Sequence, residues 1–132
     1  MNSGYVIFCG KTAFAQCLSR RIYTCAGEEA EDIKPIRQGA VLFIYNTDAK
    51  SLVGPFTAAS EGAARIETGA WTSKIDEHSA SANVKLEWED LHIIENADQH
   101  FPFLNESRKC ELSALQTQTL LDALKEARLF KG

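Results

Sequence analysis

Ala40-Val41-Leu42-Phe43-Ile44-Tyr45-Asn46, followed by Thr47-Asp48-Ala49-Lys50, is the stretch on which the fold turns. The first seven residues are almost unbroken β-branched, aliphatic and aromatic side chains, which reads as a strand with both faces covered. The next four are turn formers, with Asn and Asp able to fold their side chains back onto nearby N–H groups. Residues 51–59 return as the partner strand of a hairpin. Gly54-Pro55 falls inside that partner. Proline has no N–H to give to a ladder, so this position is expected at an edge or a bulge.

Upstream, Tyr5-Val6-Ile7-Phe8-Cys9 lies between Gly4 and Gly10 and predicts another buried strand. Thr12 is a candidate cap for a helix running to about Arg21, with Phe14, Cys17 and Leu18 on one face. Residues 27–32 read as an acidic loop. Downstream, residues 60–81 are loop-rich, with Ile66 and Trp71 as the large apolar side chains of their first half. Val84, Leu86 and Trp88 alternate with Lys85, Glu87 and Glu89, which predicts one or two strands over residues 83–95. Phe101-Pro102-Phe103-Leu104 is an aromatic linker expected to plug the core. Ser113-x-x-Gln116 is a capping-box pattern, and Leu120, Leu121, Leu124 and Ala127 mark the buried face of a closing helix. Strand, helix, hairpin, long loop, strands, helix is not the alternation of a parallel sheet. It predicts an α+β fold: a curled antiparallel sheet or open β-barrel flanked by helices.

At 132 residues the chain is expected to form one domain over 1–132. Its net charge of −4 gives no global attraction to nucleic acid or to an anionic membrane, so any anion-binding surface has to be local. No membrane span or leader pattern is read. Cys9, Cys17, Cys25 and Cys110 form no C-x-x-C pair, so no zinc site is expected. Cys9 and Cys17 sit in apolar surroundings, which points to reduced thiols and a cytoplasmic protein.

The same residues carry a family resemblance. Gly4-Tyr5-Val6-Ile7-Phe8, Thr12 and Cys17-Leu18 are similar to the opening strand and helix of development and cell death (DCD) domains. Gly39, Leu42-Phe43, Tyr45-Asn46, Leu52, Gly54, Phe56, Ala58 and Ala70-Trp71 resemble that family's central motifs, in order. The wider resemblance is to the PUA-like superfamily, including YTH and EVE domains, on residues 52–58, Trp71 and 84–88. It implies a PUA-like fold and a non-catalytic binding module. YTH readers hold a methylated adenine in an aromatic cage. The tryptophan they place after the first helix has no counterpart here, and Tyr23 stands nearest.

Two functional readings follow. In the first, Trp71 and Trp88, with Tyr23 or Tyr45, form an aromatic pocket for a nucleotide base, because any base can stack on an aromatic face. The base would come from RNA, single-stranded or modified. Lys11, Arg20, Arg21, Lys34 and Arg37 cluster in the first 37 residues and are the candidate phosphate contacts. Against this, each aromatic could be a packed core residue, and the cations could be a solvated face offset by Glu28, Glu29, Glu31 and Asp32. In the second reading the domain is a protein-interaction module for stress and cell-death signalling, as the DCD resemblance implies, with an exposed apolar patch.

Catalysis finds little support, and no catalytic residue and no cofactor are assigned. His78, His92 and His100 lack metal-ligand spacing. Gly10-Lys11-Thr12 is not a nucleotide loop, since Tyr5 stands where the first glycine is required.

Overall fold

A computed structural model describes residues 4–26, 36–60, 81–106 and 111–130, without the side chains of 24–26, 81–83 and 105–106. Trp71 and Lys34 lie outside these residues. The elements run β1 (Tyr5–Cys9), α1 (Lys11–Arg20), β2 (Ile22–Ala26), β3 (Val41–Asn46), β4 (Ser51–Ala58), β5 (Ser81–Glu87), β6 (His92–Ile94), α2 (Ala97–His100), α3 (Phe103–Glu106), α4 (Ala114–Glu126) and β7 (Arg128–Leu129).

The strands form one open sheet in the order β1-β3-β4-β5-β2, with β6 and β7 continuing from β4 along a second branch. The expected α+β class holds. One pairing departs from the antiparallel expectation: β1 lies parallel to β3, with Tyr5 opposite Leu42 and Cys9 opposite Asn46. The β3–β4 hairpin is antiparallel, and its register slips between Leu42 and Ile44. Gly54 and Pro55 together oppose Phe43 at that slip, which is the bulge the proline predicted. Glycine is needed there. A Cβ on Gly54 would stand 3.1 Å from Cδ1 of Phe43 and 3.4 Å from the carbonyl oxygen of Leu42.

Period-two alternation sorts the strand residues onto two faces. Tyr5, Ile7, Leu42 and Ile44 belong to one buried cluster, which includes Phe14 and Cys17 of α1. Val6, Phe43, Tyr45 and Leu52 belong to the other, with Ala97, Phe101, Leu104, Leu120 and Leu124 from α2–α4 and the linker. The central β3 is covered on both sides, which is why its sequence is continuously apolar. Phe101 and Leu104 are buried, so the aromatic linker does plug this core.

Helix ends obey local and distant chemistry in turn. At α4 the expected capping box is present: Ser113 Oγ accepts from the Gln116 N–H, and Gln116 Oε1 accepts from the Ser113 N–H, both at 3.0 Å. At α1 the cap is not Thr12. Gly10 is the N-cap residue, and Asp48 reaches over from the β3–β4 turn to take the Lys11 N–H at 2.7 Å. Asn46 Oδ1 holds that turn by accepting from the Asp48 and Ala49 N–H groups.

β4 changes partner on its outer edge. Leu52, Val53 and Gly54 pair with β6, while Thr57 and Ala58 pair with β5. Pro55 stands between the two ladders and has no N–H to offer. Opposite it, the chain leaves the sheet at residues 88–91 before re-entering as β6.

Candidate functional site at the β5–β6 break

Trp88 is the first residue of this detour. It is half-buried. Its indole meets Phe56 edge to face, with ring centroids 5.3 Å apart and planes at 86°. The Arg21 guanidinium lies over the indole, with Cζ 4.2 Å from the ring centroid. Arg21 ends α1 in the left-handed region (φ 57°), an uncommon conformation for a residue with a side chain. Its carbonyl accepts the Leu86 N–H at 2.8 Å, which ties the end of the helix to β5. The Arg21 side of the pair is therefore tied to the strand that leads into Trp88.

Trp88 borders two clefts. One, of about 500 Å³, lies against α1 and is lined by Phe14, Ala15, Leu18, Ser19, Leu91 and Phe130 besides the indole. Its side chains are apolar apart from Ser19. The other, of about 730 Å³, lies between the β5–β6 break and α4. Pro55, Trp88 and Leu121 supply apolar wall, and Glu87, Glu89, Asp90 and Asp122 supply carboxylates against the single ammonium of Lys125.

The two tyrosine candidates are placed elsewhere. Tyr23 is 8% exposed in the core beneath α1, and Tyr45 is 4% exposed in the core on the opposite face of the sheet. Neither lines a cleft with Trp88. A two-sided sheet buries aromatic side chains on both faces, and each tyrosine fills one. Burial, with Asp98 nearby, pushes the Tyr45 phenol above its ordinary range. Its hydroxyl oxygen has no hydrogen-bond partner among the described residues.

The candidate cations divide too. Arg20 and Arg21 close α1, and Lys11 opens it, roughly 15 Å away along a ten-residue helix. The Lys11 end carries the Asp48 carboxylate, so the helix N-terminus already has its anion. Arg37 begins the turn whose Gly39 N–H donates to the Ala58 carbonyl, and Ala58 pairs with Leu86. That turn and Arg21 therefore lie at the same end of the sheet, with β4 and β5 between them. Lys85, exposed on β5, joins them there. Sequence reading passed over Lys85 because it is remote from the other cations along the chain. Glu87, Glu89 and Asp90 are neighbours in the sequence, and only the fold brings Asp122 to them.

No three His, Cys, Asp or Glu side chains among the described residues are placed to hold a metal ion. No helix among them is long and apolar enough to cross a membrane. Cys9 and Cys17 are buried free thiols. A hydrogen bond with Cys9, and then burial, push the Cys17 thiol well above its ordinary range.

Residues 3–124 match the sequence profile of the development and cell death domain. The chain belongs to the DCD domain family. Its curated relatives include the DCD domain-containing protein NRP-B of Glycine max, 32% identical over 71 residues, which are 54% of this chain and 22% of that protein. The B2 protein of Daucus carota is 25% identical over 131 residues, 95% of this chain and 63% of that protein. This DCD domain thus spans about a fifth of the soybean relative and under two thirds of the carrot one. In fold it is similar to YTH domains. The Pho92 YTH domain, solved in complex with m6A, superposes with a TM-score of 0.68 at 13% identity, covering 99% of this chain and 90% of that one. The YTH domain of Zygosaccharomyces rouxii MRB1, solved with N6-methyladenosine RNA, gives 0.65 at 16% identity, covering 99% and 92%. The PUA-like fold expected from the sequence is therefore the one observed. Membership of the DCD family supports the reading of a non-catalytic binding module.

Proposed function

We propose that this DCD domain binds a nucleobase, from single-stranded or modified RNA, on the α1 side of Trp88. The observation that carries the reading is the Arg21 guanidinium at 4.2 Å over a half-buried indole at the edge of a cleft walled by Phe14, Leu18, Leu91 and Phe130. A cation resting on an aromatic face marks a surface that attracts flat, electron-poor groups. A base entering there would exchange places with Arg21, which then swings to a phosphate. Arg20, Lys85 and Arg37 stand at the same end of the sheet to meet the backbone. Extrusion of a base from a single strand costs less than from a duplex, which favours an unpaired ligand. The YTH-like fold supports the reading, because both solved neighbours hold a methylated adenosine.

Tryptophan fluorescence tests it. Short single-stranded RNA should quench saturably, and binding should weaken with added salt as phosphate contacts release counterions. Trp88→Ala should lower affinity by about 1–3 kcal/mol, the worth of one stacked base. Trp71→Phe separates the second indole from the signal. No quenching at millimolar nucleotide overturns the proposal.

A second reading, a protein-interaction module acting in stress responses, is favoured by the acidic cleft on the other side of Trp88 and by Leu115, which is 78% exposed. In either reading, the buried free thiols support a reducing compartment such as the cytoplasm.

A further inference from the structure

We infer that the cleft between the β5–β6 break and α4 receives a lysine or arginine side chain of a basic peptide segment. The carboxylates of Glu87, Glu89, Asp90 and Asp122 line it, opposed by Lys125 alone. No cation among the described residues pairs with Glu87, Glu89 or Asp90, and Asp122 accepts only the Gln118 amide, at 2.9 Å. Nearby Glu95 shows the contrast, since it holds Arg128 at 2.7 Å. The cleft thus gathers four carboxylates that no ion pair among the described residues offsets.

A metal ion is a poor occupant, because the acidic groups do not converge to coordination distance. An RNA strand is a poor occupant too, because its phosphates would meet four carboxylates inside one screening length. A basic side chain fits both parts of the lining. Pro55, Trp88 and Leu121 can cover an aliphatic stem, while the carboxylates hold the charged head. The indole already carries a guanidinium from its own chain, so its affinity for such a head is visible in the structure. At about 730 Å³ the cleft has room for more than one side chain, which suits a segment of peptide more than a free amino acid.

The inference stands apart from the nucleobase reading, which uses the α1 side of Trp88. The test uses the full chain and a labelled peptide alternating Lys or Arg with Gly, followed by fluorescence polarisation. Binding should occur, should weaken severalfold between 50 and 200 mM salt, and should fall about tenfold in E89Q/D122N. Glu126→Gln, which removes an exposed carboxylate outside the cleft, should leave it unchanged. Both substituted acids of the double variant are exposed, so it should fold, and its thermal midpoint checks that. Peptide binding indifferent to E89Q/D122N, or equally weakened by Glu126→Gln, overturns the inference. So does an absence of peptide binding, or RNA binding that responds to E89Q/D122N while the peptide does not. Loss of RNA quenching alone overturns only the nucleobase reading.

Discussion

Asp48 caps a helix that begins 37 residues before it: its Oδ2 takes the Lys11 N–H at 2.7 Å. The contact satisfies an orphan donor and places a carboxylate at the positive end of α1. Asp48→Ala should therefore cost about 1 kcal/mol, within the range of lost N-caps, and Asp48→Asn should cost less because an acceptor remains. Urea midpoints of the two variants check the order. Gly10→Ala should also destabilise, since its new Cβ would stand 2.9 Å from the same Oδ2.

Tyr45 gives the opposite sign. Its buried hydroxyl lacks a partner among the described residues, and an unsatisfied buried polar group is unfavourable. Tyr45→Phe should be neutral or stabilising by up to about 1 kcal/mol, with RNA and peptide binding unchanged. The pH dependence follows from the raised phenol. A group whose folded-state pKa is raised contributes stability that is full below the unfolded value, about 10, and is lost as pH climbs through the folded value. Denaturant midpoints should fall above pH 10 in the parent, and less steeply in Tyr45→Phe.

Thr117 joins the start of the chain to its last helix. Its Oγ1 accepts the Gly4 N–H at 2.7 Å and donates to the Ser113 carbonyl at 2.8 Å. Thr117→Val keeps the shape and strands a buried N–H, at a cost of roughly 1–3 kcal/mol. Gly4→Ala should be damaging as well, because its Cβ would come within 2.9 Å of Thr117 Cγ2 and 3.0 Å of the Val41 carbonyl oxygen. Calorimetry on both variants tests the claim.

Cys17 should be inert. Fully buried and with its thiol pushed upward, it offers almost no thiolate at neutral pH. Alkylation mapped by mass spectrometry should leave Cys17 unmodified in the native protein and modify it in denaturant. Ready labelling under native conditions would refute the packing described.

Much of the architecture was legible because its signals are local. β1, β3, β4 and β5 carry runs or alternation, and the Ser113–Gln116 box sits within one turn of helix. β2 was missed although Ile22-Tyr23-Thr24 is strand-like, since Ile22 also continues the apolar face of α1. The parallel setting of β1 on β3, the Asp48 cap and the two-residue β7 depend on partners far along the chain, and no window of sequence contains them. The site was legible in part for the same reason. Trp88 stood out as an aromatic among charges. Tyr23 and Tyr45 look alike in sequence, yet the sheet places them on opposite faces. Closeness along the chain grouped Lys11 with Arg20 and Arg21, which a helix then holds apart. Trp71 and Lys34 fall outside the described residues.

The switch of partner along β4 has a mechanical meaning. Because Pro55 has no N–H to give between the two ladders, the β6–β7 flank and the β5–β2 ribbon are zipped to the same strand by separate fasteners. A tug delivered to one, by an occupant wedged beside α4 or by fraying of the final residues, reaches the other through β4 itself, the 88–91 connection and side-chain contacts such as Phe56 with Trp88, and through no shared ladder. The ribbon that anchors Arg21 can then keep its shape while its neighbour breathes, and hydrogen exchange should find the amides of Ile93 and Ile94 opening earlier than those of Leu86 and Ala58.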